Sequence, residues 1–341
     1  MQKQLYLILS VIILTLMHSI SHAVPWFTGP LLALPAQTVP RGQITAFFQT
    51  ATALSNAIYN RNWQWVSQQN YSSTQISPQL SYGLTDDLDL QYNVLYIMNE
   101  NGVMSYEHIG DTAIILGLQA LSQEKNKAFP DLRITLQETI PTGVYNEFTP
   151  ARNGAEATGM GSYQTTLGLN FQYLSQLNEH HYLNSHLSIA YTFANKVRLN
   201  GLSTYGGTSE TKGQITPGNA VSIDWAGELT LTKKWVAVME ANFIYQQASR
   251  FKGIVGIQSS ADPLRISDPH RSRTSHRLLP TRHNIGNRSI GSGNLDQITL
   301  APAIEYNLSE NYGVIGGAWL TVAGKNTPEF LTPIIQFSAS W

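Results

Sequence analysis

The sequence predicts an all-β fold: a transmembrane, antiparallel, up-and-down β-barrel of about twelve strands. Three observations predict it. Apolar and polar residues alternate with period two, connections of short and long length alternate along the chain, and charge is scarce. Residues 162–174 show the period best, with Tyr163, Leu167, Leu169, Phe171 and Tyr173 on one face and Gln164, Thr166, Asn170 and Gln172 on the other. Residues 219–232 repeat it, with Val221, Ile223, Trp225, Leu229 and Leu231 against Ser222, Asp224, Glu228 and Thr230. A helix would scatter both sets around its circumference. Only 13% of residues are charged, against about 25% in ordinary soluble domains. Tyr, Trp, Gln, Asn, Ser, Thr and Gly fill the deficit, which suits a wall with lipid on one side and water on the other.

Taken in order, the chain opens as an export signal over residues 1–23. Lys3 precedes an apolar run from Leu5 to Met17, and Ser21-His22-Ala23 supplies the small-x-small pattern of a cleavage site. That run is 13 residues long, short of the roughly 20 a helix needs to cross a bilayer. Beyond Met17 no stretch reaches that length, so a chain that stays in a membrane must cross it as a closed sheet. Residues 24–41, rich in Pro and apolar side chains, are a periplasmic leader or a small plug. The barrel follows over 42–341. Period two places its strands at 42–54, 72–83, 88–98, 111–121, 131–140, 162–174, 182–193, 219–232, 235–247, 294–308, 312–322 and 330–341.

Twelve is even, as a single-chain bacterial barrel with both termini on the periplasmic side requires. The even-numbered gaps hold 4, 9, 7, 2 and 3 residues and the odd-numbered gaps 17, 12, 21, 25, 46 and 7. Short periplasmic turns and longer outer loops make that alternation. Thr85-Asp86-Asp87, Lys233-Lys234 and Ser309-Glu310-Asn311 are the polar pieces that reverse the chain at the short end. In the final strand Leu331, Pro333, Ile335, Phe337, Ala339 and Trp341 share a face, and the chain ends on an aromatic. A terminal Trp or Phe is the feature by which such barrels meet their insertion machinery, and Trp341 also suits an interfacial aromatic girdle. Glu138 falls in phase with Leu132, Ile134, Leu136 and Ile140, which puts a carboxylate on the lipid face. Either it sits at the interface near Pro141, the preferred reading, or a bulge turns it inward.

From Tyr82 onward the chain resembles the MetA-pathway phenol-degradation family of outer-membrane transport proteins. The residues that carry the resemblance are Tyr82-Gly83-Leu84-Thr85-Asp86-Asp87-Leu88-Asp89-Leu90, Gly110-Asp111-Thr112 with Leu116-Gly117-Leu118, Ile140-Pro141-Thr142-Gly143, and Gly159-Met160-Gly161-Ser162-Tyr163. The resemblance implies a barrel and the passage of small hydrophobic or aromatic molecules, and it carries no catalytic residues.

Chemistry is sparse elsewhere. With no cysteine, disulfide scaffolds, thiolate metal sites and cysteine catalysis are excluded. No Gly-x-Ser-x-Gly, His-Glu-x-x-His or paired-histidine spacing is present, so no catalytic residue, metal or cofactor is expected. Without residues 1–23 the chain has 20 Lys plus Arg against 22 Asp plus Glu, which points to no nucleic-acid partner. Period two aims Arg133, His186, Asp224, Glu228, Glu240 and Glu305, with Asp89, into the lumen. Glu228 and Glu240 flank the Lys233-Lys234 turn and share a neighbourhood. Trp319 and Phe47 offer a solute apolar contact or pack under a plug, and Gly313, Gly317, Ala301 and Ala303 leave room. Residues 248–293 carry Arg265, Arg271, Arg273, Arg277 and Arg282 among eight basic residues, against Asp262 and Asp268. That segment is a solvated loop, a contact to lipopolysaccharide phosphates, or a constriction folded against the acidic lumen. The function expected is a bacterial outer-membrane channel for small solutes by passive diffusion, with membrane lipid, lipopolysaccharide and the insertion machinery as partners. An adhesive or structural barrel, a barrel hydrolase and a soluble β-sandwich are the alternatives.

Overall fold

The computed structural model describes residues 25–256 and 290–341. The signal segment 1–23 and the arginines 265, 271, 273, 277 and 282 lie outside the described residues. The elements are β1 (Ile44–Tyr59), β2 (Trp65–Thr85), β3 (Leu88–Asn93), β4 (Tyr96–Asn101), β5 (Met104–Ile109), β6 (Thr112–Leu121), β7 (Asp131–Ile140), β8 (Gln164–Gln176), β9 (Tyr182–Ala194), β10 (Val197–Asn200), β11 (Lys212–Thr216), β12 (Ala220–Thr230), β13 (Trp235–Gln246), β14 (Arg250–Ile254), β15 (Leu295–Asn307), β16 (Tyr312–Lys325) and β17 (Thr327–Ser340). All wall pairings are antiparallel, and β1 pairs with both β2 and β17, so the sheet closes on itself. Counted around the wall, β3 with β4 and β5 with β6 are single strands interrupted at 94–95 and 110–111, which makes a closed barrel of 12 strands. Closure leaves no sheet edge within the wall, so every ladder group has a partner even in hydrocarbon.

The residue pattern is the reverse of a soluble sheet. On β7 and β8, Ile134, Leu136, Leu167 and Leu169 are exposed on the outside while Arg133, Thr135, Gln137, Thr166 and Asn170 are buried within. On β12, Ile223 and Trp225 face out and Asp224 and Glu228 face in. An outer surface of Leu, Ile and aromatic residues is stable only against lipid. Glu138 stays on that outer face with no bulge in its pairing to Ile114 or Thr165. The Thr165 hydroxyl donates to it at 2.6 Å, which partners the carboxylate without turning it inward.

The strand cores match the period-two expectation, and the outer connections depart from it. The expected gap 55–71 contracts to 60–64, because β1 and β2 continue as a paired ladder. The gap 99–110 becomes the hairpin β4–β5 turning at 102–103, and 323–329 shrinks to a turn at Asn326. The long-end connections are therefore not uniformly long. The physical reason is visible in residues 65–70, which are largely exposed on both faces. Apolar alternation stops where lipid contact stops, whereas backbone pairing continues into water. The longer loops carry structure of their own: β10, β11 and β14 form a three-stranded sheet over a small core of Met160, Val197, Leu199, Tyr205 and Ile215.

Three of the motif pieces meet at that end of the barrel. Asp111 accepts the backbone N–H of Gly143 at 3.0 Å and of Met160 at 2.8 Å, and the Thr142 hydroxyl donates to the Gly110 carbonyl at 2.6 Å. Gly143 and Gly159 approach so closely that a Cβ on either would stand 2.6 Å from the other's backbone. Local turn chemistry in sequence is thus a tertiary knot joining β6, β7 and the loop before β8.

Candidate functional site

The lumen is where the polar residues converge, and its geometry is set by residues 25–41. This segment enters beside the short turns, where the Asn307 amide donates to the Trp26 carbonyl at 2.9 Å and Lys233 sits over the Trp26 ring. It then rises to the middle of β13. There the Glu240 carboxylate receives three consecutive backbone N–H groups: Leu31 at 2.6 Å, Leu32 at 3.0 Å and Ala33 at 2.9 Å. Thr28 N–H donates to Glu305. On the far side of the lumen Thr38 N–H reaches Gln119 at 2.8 Å, Val39 N–H reaches Asp89 at 3.0 Å and Gln37 reaches Asp131 at 2.9 Å. The chain returns to the wall at Gly83, where a Cβ would overlap the Pro40 carbonyl. A Pro-rich segment has few internal hydrogen bonds to offer itself, so wall carboxylates and carboxamides satisfy its backbone instead.

The inward residues named from the sequence fall into separate sets. Arg133 donates to Asp89 Oδ1 at 2.7 Å through Nη2 and at 3.2 Å through Nε. Both side chains are almost fully buried, and Nη1 reaches toward the Pro35 carbonyl. His186 Nε2 lies 2.6 Å from Glu228 Oε2, to which the Asn184 amide also donates at 2.7 Å. Glu305 lies against Glu228, and the Asn307 amide donates to it. Asp224 accepts from Asn242 at 3.2 Å. Glu228 and Glu240 share the inner face of the β12–β13 pair, opposite Val238 and Ala226, but each serves its own partners.

Trp319 is packed rather than open. Its ring meets Phe330 edge-on at 4.7 Å, its indole N–H donates to Thr299 at 2.7 Å, and it belongs to a buried cluster with Leu31, Leu32, Val236, Val238 and Ile315. The small residues on β16 make room for the N-terminal segment rather than for a solute. A Cβ at Gly317 would stand 2.9 Å from Leu31 Cδ1, and one at Gly313 would overlap the Thr28 hydroxyl.

A cavity of about 240 Å³ remains between the segment and the wall of β1, β2, β3, β6, β8, β9 and β17. Phe27, Leu31 and Leu34 of the segment and Phe47 of β1 give it apolar lining, and Gln49, Gln79, Gln91, Asn93, Gln172 and Gln336 give it carboxamides. Period two puts Gln172 on the polar face of its strand, but nothing in the sequence singles out these carboxamides as one lining. Asp111 and His186, its titratable lining residues, are engaged as described above. Among the described residues no group of three or more His, Asp or Glu side chains is placed to hold a metal ion.

No family model matches the chain, and no curated protein matches it either. Among solved structures it is similar to an outer membrane channel from Pseudomonas putida F1, with 13% identity over 90% of this chain and 98% of that one and a TM-score of 0.63. The fold is that of an outer-membrane barrel. It also matches, at a TM-score of 0.44 and 7% identity, the translocator domain of the autotransporter NalP from Neisseria meningitidis, over 87% of this chain and 88% of that one. This barrel and the channel from Pseudomonas putida F1 thus share architecture along nearly their whole lengths.

Proposed function

We propose that this barrel is an outer-membrane channel through which small solutes diffuse, and that residues 25–41 are its plug. The observation that carries the reading is the cavity between that segment and the carboxamides of the wall. Twelve strands enclose a lumen wider than an eight-stranded barrel packed with side chains, and narrower than a 16-stranded porin. A narrow passage blocked by one strap is the result. Hydrophobic and aromatic molecules, which the resemblance implies, have Phe27, Leu31, Leu34 and Phe47 to slide against. No catalytic role is proposed. Trp341, whose N–H donates to the Ile44 carbonyl at the seam between β1 and β17, is the residue through which the final strand would meet the insertion machinery.

Conductance of the refolded protein in planar bilayers tests this, after heat-modifiable gel migration has confirmed the barrel. Deleting 26–38 is expected to raise conductance several-fold. Glu240→Gln keeps the shape but removes the charge that receives three N–H groups, and should raise the frequency of opening without changing the size of the open level. A heat-modifiable barrel that conducts nothing even without the segment moves the function to adhesion or scaffolding.

A further inference from the structure

We propose that the lumen cavity is a binding site for a neutral, polyhydroxylated single-ring solute of the pyranose class. This rests on the channel reading for its physiological meaning, but the site itself is argued from the cavity. Three buried polar atoms bordering it have no hydrogen-bond partner in the protein: Gln91 Nε2, Asn184 Oδ1 and His186 Nδ1. Gln91, Asn184 and His186 are 1%, 2% and 3% exposed. Polar atoms buried to that degree are normally bonded, and the three side chains that carry them border the cavity. A solute that enters and pairs with those atoms gains bonds that the protein alone does not make.

The chemistry required is specific. Gln91 Nε2 is a donor and needs an acceptor, whereas Asn184 Oδ1 is an acceptor and needs a donor. Among the other lining carboxamides Gln79 and Gln172 offer both roles, whereas Gln49 Nε2 already donates to Leu31 and Gln336, and Asn93 Oδ1 already accepts from Ser77. A hydroxyl is donor and acceptor at once, so several hydroxyls on one ring match a wall of carboxamides. A single phenolic hydroxyl engages one of them and leaves the rest unpaired. Ionic solutes gain little, because the Asp111 carboxylate is occupied by the N–H groups of Gly143 and Met160 and His186 is held by Glu228. The apolar lining, Phe27, Leu31, Leu34 and Phe47, suits the C–H face of a saturated ring. At about 240 Å³ the space is below the roughly 300–1,000 Å³ of pockets for drug-sized ligands, so one ring fits and a disaccharide does not.

Titration calorimetry of the full-length refolded protein in detergent tests the site without requiring flux, with glucose, phenol and gluconate as probes. Glucose is expected to bind at least about tenfold more tightly than phenol, the size of one or two hydrogen bonds, and gluconate not to bind. Gln91→Leu and Asn184→Leu, checked for heat-modifiable migration, should each weaken glucose by about tenfold while leaving phenol within about twofold. Phenol binding as tightly as glucose, or glucose affinity untouched by both variants, overturns the assignment. The wild-type comparison decides the question even if a variant fails to fold. Glucose binding in a barrel that never conducts would overturn the channel reading and leave the site standing, whereas conductance with no glucose binding would do the opposite.

Discussion

The two halves of the lumen wall are built on opposite principles. From β13, β15, β16, β17 and β1 come Val236, Val238, Ile244, Leu295, Ile315, Trp319, Phe330, Ile334 and Ala51, which close over Leu31 and Leu32 as an ordinary hydrophobic core. From β2, β3 and β6–β9 come Ser77, Gln91, Arg133, Thr135, Asn170, Asn184 and His186, which bury polar groups, and Ser77, Gln91, Asn184 and His186 among them line the cavity. A barrel of this bore cannot stay filled by its own side chains, and a lumen wet all round would leave the segment 25–41 without an apolar dock. The division teaches that one half anchors the segment by apolar burial and the other keeps a passage beside it. The wall carboxylates Glu240 and Glu305 reach from the anchoring half to the segment's backbone.

The largest effect should come from breaking the polar half. Arg133→Met leaves Asp89 buried without its cation and should cost about 3–5 kcal/mol, read as a fall in the urea midpoint of the refolded barrel. Adding Asp89→Leu should recover most of that loss, because removing both charges removes the uncompensated one. A smaller effect is expected in the anchoring half. Gly317→Ala sets a Cβ 2.5 Å from the Pro302 carbonyl oxygen and 2.9 Å from Leu31 Cδ1, and the overpacking should cost about 1–3 kcal/mol. Hydrogen exchange at Leu31–Ala33 should speed up in that variant, which separates a loosened segment from a damaged wall. Smallest of all is Glu138→Leu, outside both halves. It exchanges a lipid-side carboxylate and its Thr165 bond for an apolar side chain, and the urea midpoint should shift by no more than about 1 kcal/mol equivalent near an interface. A large loss there would show that the Glu138–Thr165 contact stabilises the β7–β8 pairing.

What the sequence determined by itself is the wall. Period two in 131–140 and 182–193 locates β7 and β9 almost to the residue, because a membrane imposes a different solvent on each face and each strand must record it. The inward phase of Arg133, His186, Glu228 and Glu240 was legible for the same reason. Where lipid ends, so does that record. Residues 65–70 continue the ladder with no alternation to announce it, and β10, β11 and β14 are too short to show a period.

Only the tertiary structure decided who partners whom. Sequence period shows that Glu240 and Glu305 face inward, but not that backbone N–H groups 209 and 277 residues away would meet them. It marks Gly313 and Gly317 as small, but not that Thr28 and Leu31 fill the space above them. It shows Gly110-Asp111-Thr112 and Pro141-Thr142-Gly143 as turns, but not their shared hydrogen bonds. Facing is a local property, set by the two solvents along one strand. Partnership across a lumen depends on barrel closure, which brings together positions that no local pattern relates.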